Sequence, residues 1–269
     1  MPPADDLSQI PPSDRHDPPG VGYFTGQYAQ FDPQALEREM FERLPARARD
    51  LIVASRREAE TIAAEVLPQV RDALESLPGR GEQDRPRLVG LEHRTKTEFS
   101  LARAYTVAGH LENPDLGEFL KAQKDRVRFS VVVPQSDYRA TVAAVLDAMR
   151  DRGYKVGKIV NFWHEGARHN GLNVTVTRSD GVPVEIQFPT PLSYAVSGET
   201  HTYYEIIRVD EALPPLQVDA FLRMLAINKS RGMAVHRPQG LDALGRMKNV
   251  RATFDRWFAA DDALREAYL

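Results

Sequence analysis

Two segments in the middle of the chain alternate apolar and polar residues, and this alternation constrains the fold more than any other feature. Residues 182–188 place four apolar side chains on one face of a strand and Glu185 with Gln187 on the other. Residues 127–133 alternate in a similar way, and residues 136–153 then have the apolar spacing of a helix. Strand, helix and strand in one stretch of chain predict a sheet packed against helices.

The remaining segments extend this pattern to a whole domain. Further strands are expected at residues 154–162 and 172–177, and the Asp180-Gly181 pair before residues 182–188 is typical of a hairpin. Helical spacing predicts helices over residues 32–44, 46–77, 190–209 and 218–235, with one or two short helices around Trp257 in residues 241–269. The predicted class is α+β, similar to α/β, with a mixed sheet flanked by helices, an N-terminal helical extension and C-terminal helices.

Composition divides the chain into four regions. Six of the first twenty residues are proline, so residues 1–31 are expected to be a disordered arm. Residues 32–86 form the helical N-terminal region and end in a loop rich in Gly and Pro. Residues 87–210 form the core of the domain, and residues 211–269 supply the helices that pack on it.

Charge and cysteine content exclude several classes of protein. With 35 basic and 38 acidic residues, the chain has no large positive field for holding nucleic acid through many phosphates. It has no cysteine, which excludes disulfide partners, thiolate metal sites and cysteine nucleophiles. It also lacks an apolar run long enough to span a membrane and a recognisable signal peptide, so no membrane partner is expected. We expect action in the cytoplasm, with delivery by a route without a signal peptide as the alternative.

Asp125 and Glu185 are the first candidates for chemistry. Asp125 stands at the entrance of the strand over residues 127–133, and Glu185 lies on the polar face of another strand. If these strands are neighbours, the two carboxylates converge as oxygen ligands for Mg²⁺ together with nucleotide phosphates. The alternative is two solvated carboxylates on an exposed face of the sheet.

A basic segment precedes these residues. Arg94, Lys96 and Arg103 lie close together in residues 93–103, at the start of a predicted helix. Guanidinium and ammonium groups suit a triphosphate and a stacked base. The alternative is an ordinary charged helix start.

Five short motifs follow one another in a particular order. They are Arg94-x-Lys96-x-x-x-Ser100, Asp125 with Arg128, Asn170-Gly171, Glu185-Ile186-Gln187, and His201 with Tyr204. In this order they resemble the synthetase domain of the RelA/SpoT family, pyrophosphokinases that move the β,γ-diphosphate of ATP onto the 3′-hydroxyl of an acceptor nucleotide. The resemblance covers roughly residues 91–208.

The resemblance implies a mixed sheet of the nucleotidyltransferase type and a set of residue roles. It implies Asp125 and Glu185 as Mg²⁺ ligands, with Glu185 also helping to deprotonate the acceptor hydroxyl. It implies that ATP is bound by Arg94 and Arg128 near the adenine and by Lys96, Ser100 and Arg103 near the phosphates. Gln187 and His201 are implied beside the catalytic site.

The sequence departs from the family after Asn170-Gly171, where the family has a tyrosine on which the acceptor guanine stacks. Leu172 and Asn173 stand here instead, and a lost stack is worth about 1–3 kcal/mol. We therefore expect no strong preference for guanine, and an acceptor held either by apolar contact or by a ring such as Phe162 or Trp163. The alternative for these two aromatic residues is that they close the core. The candidate acceptor-binding residues are Asn170, Leu172, Asn173, Trp163 and Tyr204. These departures are similar to the toxin-like and phage-linked branches of the family, which implies an antitoxin or immunity protein as a partner.

The leading hypothesis is an ATP-dependent, Mg²⁺-requiring pyrophosphotransferase that acts on the 3′-hydroxyl of an adenine or guanine nucleotide or of an RNA end. One alternative is a non-catalytic nucleotide- or RNA-binding module on the same fold. The other is a nucleotidyltransferase that transfers AMP, which would release pyrophosphate where the leading hypothesis releases AMP.

Overall fold

The computed structural model describes residues 32–77, 85–107, 115–163, 169–209, 214–241 and 246–247. Its α-helices are α1 (Pro33–Arg43), α2 (Ala46–Glu75), α3 (Glu98–Val107), α4 (Leu116–Ala122), α5 (Tyr138–Asp151), α6 (Pro191–Glu199), α7 (His201–Ile207) and α8 (Pro214–Ser230). Its strands are β1 (Arg87–Val89), β2 (Arg128–Val132), β3 (Lys155–Asn161), β4 (Leu172–Thr177), β5 (Pro183–Phe188) and β6 (Arg246–Met247). The proline-rich arm and the expected helices around Trp257 lie outside the described residues.

Within the described residues, the strands form one mixed sheet in the order β1-β2-β5-β4-β3-β6. β2 and β5 run parallel. β5 pairs antiparallel with β4, and β4 pairs antiparallel with β3. Arg128 lies opposite Glu185, and Ser130 lies opposite Gln187. The structure thus confirms the predicted α+β class, and it makes the two strands with the clearest alternation direct neighbours.

The main core lies between the apolar face of this sheet and the helices α2 and α5. Phe129, Ile186 and Phe188 are buried on the sheet side, where period-two alternation sends them. Val66 of α2 and Met149 of α5 are among the helical residues that cover them. Because this face is filled by side chains, the opposite face of the sheet is the one available for a ligand.

Two smaller apolar clusters hold the other helices. One joins α1, α3, α4 and the start of α2 through Leu44, Ile52 and Leu101. The other joins α7 and α8 through Ile207 and Phe221. No helix within the described residues is both long and apolar enough to cross a bilayer.

Several elements differ from the sequence prediction. The helix expected over residues 190–209 is two helices that meet at Thr200, just after Gly198, a residue that disfavours helix. Arg246–Met247 pairs in parallel with β3, although a helix was expected there. α8 begins at Pro214, earlier than residue 218, and ends at Ser230. β1 and α4 were not predicted, because three and seven residues are too short to show a period.

Candidate active site

Polar side chains line the sheet face opposite the main core, which we call the polar face. It consists of Arg128 and Ser130 on β2, Asn173 on β4, and Glu185 and Gln187 on β5. Register places Asn173 beside Gln187, and Ser130 Oγ donates a hydrogen bond to Gln187 Oε1 at 3.3 Å. Three adjacent strands therefore contribute to one connected polar surface.

Glu185 is held at the centre of the polar face by two amides. Asn173 Nδ2 donates to Glu185 Oε1 at 3.2 Å, and Gln187 Nε2 donates to Glu185 Oε2 at 2.7 Å. Burial raises the pKa of Glu185, and the negative charge of Asp125 raises it further, against the opposing effect of the Gln187 hydrogen bond. Glu185 is therefore a fixed, poorly solvated carboxylate, and a nearby positive charge or a bound proton would stabilise it.

The segment around Thr95 brings the basic motif to the start of β2. Thr95 forms an isolated antiparallel bridge with Val127, and the Lys96 amide donates to the Arg126 carbonyl at 3.1 Å. This pairing directs the Lys96 side chain to Asp125, where Nζ lies 2.7 Å from Oδ2. Two motifs that are distant in sequence thus meet in one ion pair.

Asp125 and Glu185 interact through their charges. Burial alone would raise the pKa of Asp125, but the charge and hydrogen bond of Lys96, together with Arg128, lower it. Arg128 also lowers the pKa of Glu185, which Asp125 raises. The two carboxylates thus lie close enough for their charges to act on each other, Arg128 acts on both, and Lys96 contacts the Asp125 carboxylate.

A group of three basic side chains adjoins Asp125, and we call Lys96, Arg103 and Arg208 the cation cluster. Burial lowers the pKa of Lys96, and the charges of Arg103 and Arg208 lower it further. Burial and Arg208 also lower the pKa of Arg103. Ser100 Oγ lies in the same group, where it accepts a hydrogen bond from Arg208 Nη2 at 2.8 Å. The cluster thus brings three basic side chains together where the sequence predicted phosphate-binding residues.

Arg94 and Arg128 frame the short 3-10 helix at Leu91–His93. Arg94 Nη1 donates to the Leu91 carbonyl at 2.9 Å, and Arg128 Nε donates to the His93 carbonyl at 3.1 Å. The Arg128 amide also donates to the Arg94 carbonyl at 2.8 Å. The two guanidinium groups predicted near adenine therefore contact the same turn of chain.

Two of the predicted acceptor-binding residues are core residues, which corrects the sequence prediction. Leu172 is fully buried, because the alternation of β4 sends it to the apolar face. Trp163 is 1% exposed, packs edge-on against Tyr138 and donates a hydrogen bond from Nε1 to the Tyr138 hydroxyl at 3.4 Å. Neither side chain is accessible to a bound acceptor.

The other predicted residues have different positions. Asn170 is buried and its amide approaches the Phe162 carbonyl at 3.5 Å, so it holds the chain before β4. The Tyr204 ring lies 5.8 Å from the guanidinium carbon of Arg208, beside the cation cluster. His201 is exposed at the start of α7, and its ring lies 3.8 Å from the Glu205 carboxylate. Among the described residues, the ion-pair partner of His201 is Glu205 and is neither Asp125 nor Glu185.

Sequence reasoning missed three contributors to the site. Arg208 follows Tyr204 by one helical turn, which was a usable signal for a shared face. Glu37 shares a helical face with Met40 and Leu44, and a charge on an apolar face is also a signal. His169 was not predicted in the site; its ring lies 4.8 Å from that of Phe162, and Nε2 lies 3.2 Å from Asn173 Oδ1.

The donor set is short of a complete protein cage for a metal. The described part of the chain holds no group of three or more His, Cys, Asp or Glu side chains that could bind an ion. Asp125 and Glu185 together are nevertheless the hard oxygen donors that Mg²⁺ takes when substrate phosphates complete its shell. These two carboxylates could therefore hold such an ion only together with oxygens that a ligand supplies.

Comparisons with known proteins give likenesses in shape and none in sequence. No family model and no curated protein matches this chain. The type VI effector Tas1, solved in complex with its immunity protein, is 20% identical over 67% of this chain and 96% of its own, with a TM-score of 0.40. Small alarmone synthetase 1 from Bacillus subtilis, bound to its product pppGpp, is 14% identical over 79% of this chain and 100% of its own, with a TM-score of 0.46. No residue role in this chain follows from these likenesses.

Proposed function

We propose that this protein is an ATP-dependent pyrophosphotransferase that moves the β,γ-diphosphate of ATP to the 3′-hydroxyl of a nucleotide or an RNA end. The observation that carries the proposal is the Asp125 carboxylate, which contacts Lys96 of the cation cluster and whose charge also acts on the Glu185 carboxylate. Two carboxylates suit a magnesium ion, and the adjoining ammonium and guanidinium groups suit the phosphate chain that such an ion accompanies.

Asp125 and Glu185 fit Mg²⁺ by their chemistry. Burial first, and then the negative charge of Asp125, raises the pKa of Glu185, and a bound divalent cation would offset both effects. When bound, the ion would neutralise charge on the phosphates of ATP. Lys96 contacts Asp125, so the Asp125 carboxylate would hold the Lys96 ammonium as well as the metal ion next to the phosphate chain.

The donor nucleotide would lie along the basic side of the site. Lys96, Ser100 and Arg103 would bind phosphate oxygens through charge-assisted hydrogen bonds, which orient as well as attract. Arg94 and Arg128 would take the adenine side through stacking of a guanidinium on the base. Positioning and charge neutralisation supply most of the catalysis in phosphoryl transfer, and these are what such residues provide.

The acceptor hydroxyl would react next to Glu185. The 3′-oxygen attacks the β-phosphorus, the bond from that phosphorus to the α-bridging oxygen breaks, and AMP leaves. Glu185 would take the hydroxyl proton, which suits a half-buried carboxylate whose pKa is raised. Phe162, half-buried beside His169, is the ring available near this point for an acceptor base.

An acceptor screen tests the proposal. ATP labelled in its β- and γ-phosphates is incubated with Mg²⁺ and with AMP, ADP, ATP, GDP, GTP or a short RNA, and products are separated by chromatography. We expect label on the acceptor and release of AMP, with adenine nucleotides or RNA competing at least as well as guanine nucleotides. Release of pyrophosphate with AMP on the acceptor would support AMP transfer instead, and binding without any product would support a non-catalytic module.

The matched variants are Asp125→Asn and Glu185→Gln. Each removes one charge and keeps the shape, so each should abolish transfer while the protein remains folded by thermal unfolding and circular dichroism. Loss of the fold in both variants would mean that the carboxylates are structural.

A toxic activity in the cytoplasm, restrained by an antitoxin or immunity protein, belongs to the same proposal. Consumption of cellular ATP would stop the growth of a cell that produces the free enzyme. Induced expression of the wild type should therefore arrest growth, and Asp125→Asn should not. Normal growth with active wild-type enzyme would contradict the toxic role without affecting the transfer reaction.

A further inference from the structure

α1 places a buried carboxylate directly against the cation cluster. Glu37 is 5% exposed, and its Oε1 accepts a hydrogen bond from Arg103 Nε at 3.0 Å. Ser100 Oγ donates to Glu37 Oε2 at 3.1 Å, and Arg208 Nη2 donates to Oε1. One carboxylate thus uses donors of three side chains, and two of these, Ser100 and Arg103, were predicted to hold phosphate.

The contact is built into the fold, because α1 docks through its whole apolar face. Met40 and Leu44 are buried beside Glu37 on the same side of the helix. Phe41 packs edge-on against Phe99 of α3, with ring centroids 5.5 Å apart. Asp32 caps the helix by accepting hydrogen bonds from the amides of Gln34 and Ala35. Glu37 is therefore held in place by the helix that carries it.

The cation cluster has a hydrogen-bond donor that the Glu37 carboxylate does not use. Arg208 Nε is buried, and no hydrogen-bond acceptor for it is found among the described residues. A buried donor without an acceptor is unfavourable, and a phosphate group has three acceptor oxygens where a carboxylate has two. Arg208 Nη1 meanwhile pairs with Glu205 Oε1 at 3.0 Å, so the guanidinium stays charged and oriented. The cluster has the donors for a phosphate group at the place that Glu37 now takes.

We propose that Glu37 competes with the phosphates of ATP for Ser100, Arg103 and Arg208, so that α1 keeps the donor site closed until a polyphosphate displaces its carboxylate. The inference rests on the proposed function, because it takes the ligand of the cation cluster to be the phosphate chain of the donor. It adds Arg208 to the phosphate-binding residues and gives α1 an inhibitory role.

Binding of inorganic tripolyphosphate, measured by calorimetry, tests the competition without any transfer reaction. Glu37→Gln removes the competing charge, so this variant should bind tripolyphosphate about tenfold more tightly than the wild type. A tenfold change corresponds to about one charge-assisted hydrogen bond, which the competing side chain no longer makes. Glu39→Gln is the matched control, because Glu39 lies on the same helix but pairs with Arg43 at the surface. Unchanged or weaker binding by a folded Glu37→Gln protein would overturn the proposal and make Glu37 a residue that positions the arginines.

Hydrogen exchange of the wild type gives a second measurement that needs no variant. Saturating tripolyphosphate should speed exchange at the amides of α1 and leave those of α5 unchanged. Slower or unchanged exchange at α1 would contradict the inhibitory role. If tripolyphosphate displaces α1 but no labelled product forms in the acceptor screen, the transfer reaction fails while the anion competition stands.

Discussion

The ammonium of Lys96 lies 2.7 Å from the carboxylate of Asp125, across an isolated bridge between the chain before α3 and the chain before β2. Lys96 is the less exposed partner, at 12% against 35%. The pair therefore links the basic motif to Asp125 at the edge of the polar face. Asp125 raises the pKa of Lys96 and Lys96 lowers the pKa of Asp125, so each favours the charged form of the other.

Replacement of Lys96 by Met should change how stability depends on pH. The pKa of Asp125 is lowered in the folded protein, so its ionisation stabilises the fold above the ordinary carboxyl pKa of about 3.9. This contribution is lost as pH falls through the lowered pKa. In Lys96→Met the pKa of Asp125 is no longer lowered by an ammonium group. The difference in unfolding free energy between the wild type and Lys96→Met should therefore become smaller below about pH 4. Urea unfolding across pH measures it, with the exposed Lys121→Met as control.

Glu185→Gln should stabilise the protein while it abolishes transfer. The pKa of Glu185 is raised in the folded state, so its charged form costs stability at pH values above that raised pKa. A neutral amide avoids this cost once Asn173 or Gln187, both of which donate to Glu185, turns its own oxygen toward the new NH2 group. We expect a thermal midpoint higher by roughly 2–4 °C at pH 7.5, the shift that about 1 kcal/mol gives in a chain of this size. The exposed Glu60→Gln should leave the midpoint unchanged, and a lower midpoint for Glu185→Gln would contradict this account.

Arg94→Ala should weaken ATP binding about tenfold, because a cation stacked on a base is worth about 1–2 kcal/mol when desolvated. Calorimetry with ATP and Mg²⁺ gives the affinity, and Arg87→Ala on the exposed start of β1 is the control. If Arg94→Ala and Arg128→Ala both bind ATP as tightly as the wild type, the adenine does not lie at these two arginines.

Leu172→Tyr should destabilise the protein and should not create a guanine platform. Leu172 is fully buried in the main core, and overpacking a core position costs about 1–3 kcal/mol. Urea unfolding checks the loss, with Thr175→Tyr on the opposite face of β4 as the control. A gain of guanine preference in Leu172→Tyr would mean that the side chain reaches the polar face.

Phe162→Ala should raise KM for the acceptor several-fold and leave ATP affinity unchanged, because base stacking on an aromatic ring is worth about 1–3 kcal/mol. Trp163→Phe is the control, since Trp163 is a core residue and its replacement should affect only stability. Steady-state kinetics with the best acceptor separates the two variants. An unchanged KM in Phe162→Ala would show that the ring does not contact the acceptor.

Local pattern accounts for what could be predicted, and long-range packing accounts for what could not. Alternation located β2, β4 and β5 and put Glu185 with Gln187 on one face, since period two is set by the backbone itself. The same alternation places Leu172 on the apolar side, although the family motif suggested an acceptor role for it. Glu37 meets Arg208 across 171 residues of sequence, and no local pattern encodes such a contact.

The parallel pairing of β2 with β5 has a consequence for the order in which the ribosome makes the chain. Ser130 and Gln187, which touch across these strands, are 57 residues apart. At a synthesis rate of about 5–20 residues per second, the second half of the polar face follows the first by roughly 3–11 s. The growing chain carries Asp125 and the basic motif before it carries Glu185, and Arg208 comes later still. A partner that bound the N-terminal half as it emerged would therefore reach a molecule whose proposed site is still incomplete.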